Sequence, residues 1–458
     1  MSKCSIESPA RPEGARASGE AAASAFAAPV FGGAASTETE TGLEAARGRA
    51  GSGACPSPPS ALADAGPLPD LLLTDGRVVT PDGVVRGDVL VASGRIVEVR
   101  AGGRAVGDLA EERWSAKSFP VENLGGDYLV PGLIEVHTDN LETQLEPRPG
   151  VFWPSPLAAV MAHDVQIAGA GITTVLDAVS LGEYHSGGKR RKMLLMSLEA
   201  LTMARGSGVL RADHLLHLRC EVADPGVLEM FHPNVDDPGL RLVSLMDHTP
   251  GQRQWRDHAQ YRKYFSSKNW NDADYESVVA GLVAVQEKYA EPHRAAIVAA
   301  CRERCIPLAS HDDTDAGHIA EGVRDGVAVS EFPTTMEAAR LAREHGIRVV
   351  MGAPNVIRGG SHSGNVSALD LAREGLLDIL SSDYVPSSLL GGAFKLHHAL
   401  GWPLERAVST VSAAPAEALG LDDRGRIEPG LRADLVRVRE VDGVPVVRQV
   451  WRTGLRVC

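Results

Sequence analysis

At 458 residues the chain is longer than the ~250–300 at which one hydrophobic core stops growing, which predicts a large domain with a smaller companion. Its 44% hydrophobic and 23% charged residues are the balance of an ordinary globular protein. A formal net charge of −13 excludes general nucleic-acid and anionic-membrane binding, and admits an anionic small molecule only through a local basic cluster or metal ions.

Residues 1–67 come first and read as a disordered tail. Of these, 43 are Ala, Gly, Ser or Pro, so little large apolar surface is available to offset chain entropy. The stretch 21–36 is a poor signal segment, because Glu20 precedes it in place of a basic cluster and strongly apolar residues are few. Six cysteines (Cys4, Cys55, Cys220, Cys301, Cys305, Cys458) contain no CxxC pair, which argues against a disulfide framework and suits a reducing cytoplasm. Cys301 and Cys305, four apart on a predicted helix, are expected to pack as small hydrophobes. No apolar run approaches the ~20 residues of a membrane-spanning helix.

From residue 68 to 127, short Val/Leu/Ile runs alternate with DG, PDG and SGR turns, which is hairpin chemistry. Residues 421–458 repeat the pattern, so the two flanks are expected to pair into one small β-sandwich. Between them, over 128–420, apolar strands alternate with helical stretches. The strand candidates are 128–137, 171–179, 214–222, 240–248, 306–311, 327–333, 347–354 and 376–383. Eight near-continuous apolar strands separated by helices predict an α/β fold, a parallel (β/α)8 TIM-like barrel with its active site where the strands end. The long connection 249–305 carries a helix-like segment, 271–290, and leaves room for a ninth element.

Ligand-type residues fall on those strand ends. His137 and Asp139 close the first candidate strand, Glu221 the third, His248 the fourth, His311 the fifth and Asp383 the eighth. Residues two apart on a strand point the same way, so His137 and Asp139 aim an imidazole and a carboxylate into one place. Any one of these histidines taken alone is more often structural than ligating; six ligand types at corresponding strand ends point to a metal site. Imidazole nitrogen with carboxylate oxygen suits Zn²⁺ first, with Mn²⁺ or Fe²⁺ as alternatives.

The HxD motif at 137–139, the SSD at 381–383 and the terminal segment 412–436 resemble the amidohydrolase superfamily. More narrowly, VPGLIEVHTDNLE (130–142), LRCEV (218–222), MDHTPGQRQ (246–254), ASHDDT (309–314), SEFPTT (330–335), MGAPNVIRGGSHSGNVSA (351–368) and LSSDYVP (380–386) are similar to its phosphonate-metabolism branch. The resemblance spans about residues 68–458 and implies a metal barrel with a flanking β-sandwich. It makes His137, Asp139, His248, His311 and Asp383 metal ligands. Glu221 stands where many members carry a carboxylated lysine, so one ion or two bridged ions are both open. The implied activity is release of pyrophosphate from α-D-ribose 1-methylphosphonate 5-triphosphate, leaving the 5-phosphate, in carbon–phosphorus lyase catabolism. In that reaction the metal lowers the pKa of its bound water towards ~7, Asp383 as general base takes the proton, and the resulting hydroxide attacks the α-phosphorus.

An anionic substrate needs cations at the rim. Lys189 and Arg190, with Arg191 and Lys192, follow the second strand; Arg253 and Arg256, with Arg262 and Lys263, follow His248; Arg358 opens a Gly- and Ser-rich loop after the seventh. A solvated surface run is the alternative for each. His362, in that last loop, is a ligand, a phosphate contact or a leaving-group acid. His217 is expected deeper on the strand of Glu221, and Asn140, Glu142, Asp177, Asp312, Asp313 and Glu331 are candidates for orienting the ligands. Two other readings compete. Cleavage of a C–N bond in a cyclic amide or amine is disfavoured by the basic rim, and a non-catalytic phosphate-ester-binding subunit by the intact ligand positions. The expected partner is a small sugar triphosphate, with homo-oligomerisation open.

Overall fold

A computed structural model describes residues 68–102, 120–183, 189–268, 270–361 and 363–458. The expected tail, His362 and the side chain of Lys189 lie outside what it describes. Five strands come first: β1 (Leu71–Thr80), β2 (Gly83–Ala92), β3 (Arg95–Ala101), β4 (Val121–Asn123) and β5 (Tyr128–Pro131). Eight more follow as β6 (Leu133–Thr138), β7 (Ile172–Leu181), β8 (Asp213–Glu221), β9 (Leu240–Met246), β10 (Leu308–His311), β11 (Val329–Glu331), β12 (Arg348–Gly352) and β13 (Ile379–Ser381). The last are β14 (Leu435–Val441), β15 (Val444–Arg452) and β16 (Leu455–Arg456).

Strands β6 to β13 form one parallel sheet in sequence order, and every one of them matches an expected strand. All ten residues of β7 are buried, as a strand covered on both faces requires. The sheet closes on itself through a parallel bridge between Thr138 and Asp383. There the Asp383 N–H donates to the His137 carbonyl at 3.2 Å, and the Asp139 N–H donates to the Asp383 carbonyl at 3.0 Å. Ile134, Val136, Leu176, Leu215, Leu242, Ala309, Val329, Val350 and Ile379 form one apolar cluster, joined by Ala416, Ala418, Leu419 and Leu421 from the segment after the barrel. That cluster fills the barrel beneath the polar strand ends. The connection 249–305 holds two α-helices, His258–Tyr264 and Asp272–Glu303, and no ninth strand among the described residues.

The remaining strands form a second sheet, ordered β16-β15-β14-β5-β1-β2-β3 with β4 beside β1, so both flanks contribute to it. The run 128–137, expected as one barrel strand, is therefore divided. Strand β5 pairs antiparallel with β14, and β6 begins the barrel after Gly132. A Cβ at Gly132 would lie 2.2 Å from Thr173 Oγ1, so only glycine lets the chain pass between the sheets there.

A buried charge cluster ties this sheet to the barrel. Asp213, opening β8, accepts from Arg424 Nη1 at 2.8 Å, Arg432 Nη1 at 2.6 Å and Arg452 Nη1 at 3.1 Å. Burial opposes the Asp213 charge, but Arg432, Arg424 and Arg452 outweigh it and hold the pKa well below the ordinary carboxylate value. A depressed pKa gives a contribution fully present above the unfolded value of ~4 and lost as pH falls further. Among the described residues no helix is long and apolar enough to cross a membrane. Asp213→Ala strands three buried guanidinium groups and is expected to cost about 3–5 kcal/mol in thermal or urea unfolding at pH 7, a loss that begins to shrink only as pH falls below ~4.

Candidate active site

Three imidazoles at the mouth of the barrel are each held from behind by a buried carboxylate. His137 Nδ1 donates to Glu331 Oε1 at 2.9 Å, and His311 Nδ1 lies 3.4 Å from Glu331 Oε2. His248 Nδ1 donates to Glu221 Oε2 at 2.6 Å, while the His248 N–H donates to Glu221 Oε1 at 2.8 Å. Glu221 and Glu331 have no exposed surface. With every Nδ1 engaged, Nε2 is the ring nitrogen that meets the carboxylates of the mouth. The His137 and His311 rings stack at 5.8 Å, and those of His248 and His311 lie 5.7 Å apart. Burial opposes the Glu331 charge, but His137 and His217 outweigh it and hold its pKa well below the ordinary value.

Carboxylates occupy the same mouth. Asp312 Oδ2 lies 3.6 Å from His311 Nε2 and 3.9 Å from His248 Nε2, and Asp139 Oδ1 lies 3.8 Å from His137 Nε2. Arg219 Nη1 donates to that same Asp139 oxygen at 2.7 Å. Burial opposes the Asp139 charge, yet Arg219 and then His137 lower its pKa; burial and then Asp139 raise that of Asp383. Asp312, Phe332 and Asp383 have φ of 56°, 55° and 55°. Left-handed backbone at three non-glycine residues costs of order 1–3 kcal/mol each and turns the chain sharply where β10, β11 and β13 end.

A cleft of about 780 Å³ opens over this group, lined by His137, Asp139, His248, His311 and Asp383 among the expected ligands. Glu221 is not in its lining; both its oxygens face His248. Arg190 and Arg358 line the cleft, as does Lys263 from the connection after β9. Arg253 does not. It is 4% exposed, and its guanidinium is taken by the His311 carbonyl, Asp313 and Glu321 at 2.6–2.9 Å. Arg256 is exposed and stands outside the lining; Lys192 lies over the Phe152 ring, and Arg262 pairs with Asp272.

Of the expected orienting groups, Glu331 lies at the centre and Asp312 in the cleft wall. Asp313 backs Arg253. Asn140 and Asp177 belong elsewhere: Asp177 accepts from His163 Nε2 at 2.7 Å and His214 Nδ1 at 2.8 Å, and Asn140 bonds His163 Nδ1 at 2.8 Å. His217 is buried deeper, bonded to the Val136 carbonyl and Ser244 Oγ. Two residues escaped the sequence reading, Arg219 and Glu135. The latter, buried, accepts from the His137 N–H at 2.7 Å and the Ser382 N–H at 2.6 Å, and burial pushes its pKa up to about 7. Each stands two residues from a ligand candidate on the same strand, a spacing that could have exposed both.

A donor set of imidazole Nε2 atoms fixed through Nδ1, with carboxylates beside them, fits a divalent metal. Comparison with known proteins gives the family. Residues 285–456 match the amidohydrolase family. The chain is 44% identical over 390 residues to the alpha-D-ribose 1-methylphosphonate 5-triphosphate diphosphatase of Escherichia coli K12, covering 84% of this chain and 100% of that one. Among solved structures it is similar in fold to molinate hydrolase (TM-score 0.57, 13% identity, 85% of this chain and 95% of that one). It is also similar to the N-isopropylammelide isopropylaminohydrolase of Burkholderia multivorans (TM-score 0.53, 17% identity, 85% and 98%). The chain is thus a hydrolase that belongs to the amidohydrolase family, in the group of the E. coli diphosphatase.

Proposed function

We propose that this hydrolase releases pyrophosphate from α-D-ribose 1-methylphosphonate 5-triphosphate, in carbon–phosphorus lyase catabolism. The observation that carries the reading is the 44% identity to a diphosphatase whose whole length is covered. The cleft supports it: Arg190, Lys263 and Arg358 approach from three separate strand-end connections around the imidazole and carboxylate floor. A neutral cyclic amide would have no need of those cations.

His137, His248 and His311 would hold the ion through Nε2, with Asp139, Asp312 and Asp383 supplying oxygen. Glu221 and Glu331 orient the imidazoles. Zn²⁺ is the first candidate, with Mn²⁺ or Fe²⁺ next. Bound there, such an ion would acidify water towards a pKa of ~7 and polarise a phosphoryl oxygen. Asp383 then acts as the base, taking the proton of the water that attacks the α-phosphorus. Arg190, Lys263 and Arg358 hold the β- and γ-phosphates and stabilise the charge of the departing pyrophosphate. Six scattered cysteines without a CxxC pair suit a reducing cytoplasm.

Full-length protein reconstituted with Zn²⁺ or Mn²⁺ is expected to liberate pyrophosphate, measured enzymatically, from ribose 5-triphosphates; liberation of none would refute the reading. Asp383→Asn should abolish turnover while thermal unfolding stays near wild type, and unchanged turnover would exclude it as base. Glu331→Gln and Glu221→Gln are each expected to weaken metal affinity ~10–100-fold in chelator competition. Arg358→Ala should raise KM for the triphosphate more than it lowers kcat; an unchanged KM would remove Arg358 from the phosphate site.

A further inference from the structure

The wall of the cleft formed by β8 departs from what a pair of ions would need. His217, Arg219 and Glu221 alternate along that strand and share the interior face. His217 is used below, and Glu221 is used by His248 with both oxygens. Between them Arg219 reaches across to Asp139 Oδ1, the oxygen that also faces His137 Nε2. The Arg219 side chain is 12% exposed and forms part of the cleft lining. Its Nε is buried without a hydrogen-bond partner, so the guanidinium is packed into the wall.

We propose that Arg219 is the second cation of this centre: it neutralises Asp139, limits the centre to one divalent ion, and contacts the α-phosphate of the substrate. The last part rests on the reading of the substrate as a triphosphate. A two-ion centre requires carboxylate oxygens able to bridge or complete a second coordination sphere. On the β8 side, both oxygens of Glu221 are engaged by His248, and Asp139 Oδ1 is shared with a guanidinium, which leaves Asp139 to serve a single ion. A second ion beside Asp139 would sit next to a permanent positive charge enclosed in the wall, where water and salt screen poorly. A guanidinium also does what a second ion would do for a phosphate ester. Its planar fork pairs with one oxygen acceptor on one edge and presents further N–H groups to a phosphoryl oxygen on another.

The test counts ions before any substrate is added. Metal-stripped, full-length protein is dialysed against Mn²⁺ and examined by elemental analysis and electron paramagnetic resonance. One Mn²⁺ per chain with the hyperfine pattern of an isolated ion is expected; two per chain with an exchange-coupled signal would overturn the proposal. Affinity for inorganic triphosphate is then measured by calorimetry for wild type, Arg219→Lys and Arg219→Met. The Met variant is expected to bind roughly tenfold or more weakly, with Lys intermediate. Equal affinity for all three would overturn the phosphate contact. The Met variant, with Asp139 released, should also accept a second Mn²⁺, and one that still holds a single ion would overturn the neutralising role. Should the Met variant fail to fold, the wild-type ion count and the Lys variant still decide. Wild type holding one Mn²⁺ yet binding no triphosphate and releasing no pyrophosphate overturns the substrate reading. Pyrophosphate release with two coupled ions overturns only the role of Arg219.

Discussion

The barrel is closed by the backbone of the residues that bear its chemistry. Asp383 and Thr138 form the bridge between the last strand and the first, and the hydrogen bonds across it run through the main chain of His137, Asp139 and Asp383. Any loosening of that seam moves two candidate ligands and the proposed base together. Glu135 reinforces it from inside, one oxygen on the His137 N–H and the other on the Ser382 N–H, so a single buried carboxylate spans both sides of the closure. Polar backbone groups at the end of a short strand need partners, and here a side chain supplies them without admitting water.

Above the seam, the geometry is governed by which imidazole nitrogen is already occupied. Burying the charges of Glu331 and Glu221 is costly, and that cost is offset only because each accepts from histidine. In return each ring is held in one tautomer and one orientation, with Nε2 towards the cleft. Ser244 adds a hydrogen bond to Glu331 at 2.5 Å, so the carboxylate that serves two histidines is itself fixed from a third strand. Such layering separates roles. The rigid floor comes from strand ends, while Arg190, Lys263 and Arg358 come from the connections that follow them.

The second sheet works at a distance from this chemistry. Its link to the barrel is the cluster around Asp213, where guanidinium groups from the C-terminal segment converge on a single carboxylate. Strand pairing of β5 with both β1 and β14 brings the two flanks of the described chain onto that one sheet. One buried ionic cluster thus holds sheets together, while another aims side chains.

Periodicity and residue type were enough to predict eight parallel strands, their order and the polar strand ends, because alternation and apolar continuity are local properties of the chain. His137, Asp139, His248, His311 and Asp383 were visible for the same reason: each stands beside the end of a strand that hydrophobicity marks. Partnership was not visible. Glu331 serves His137 across 194 positions, and Arg219 meets Asp139 across 80, so only the closed barrel decides that one carboxylate orients and another faces a guanidinium. Arg253 shows the reverse: its place after His248 suggested a phosphate contact, but packing against Asp313 and Glu321 had already consumed its donors. A sequence shows which groups are available at a strand end; the hydrogen bonds each makes in three dimensions decide which atoms are left to act.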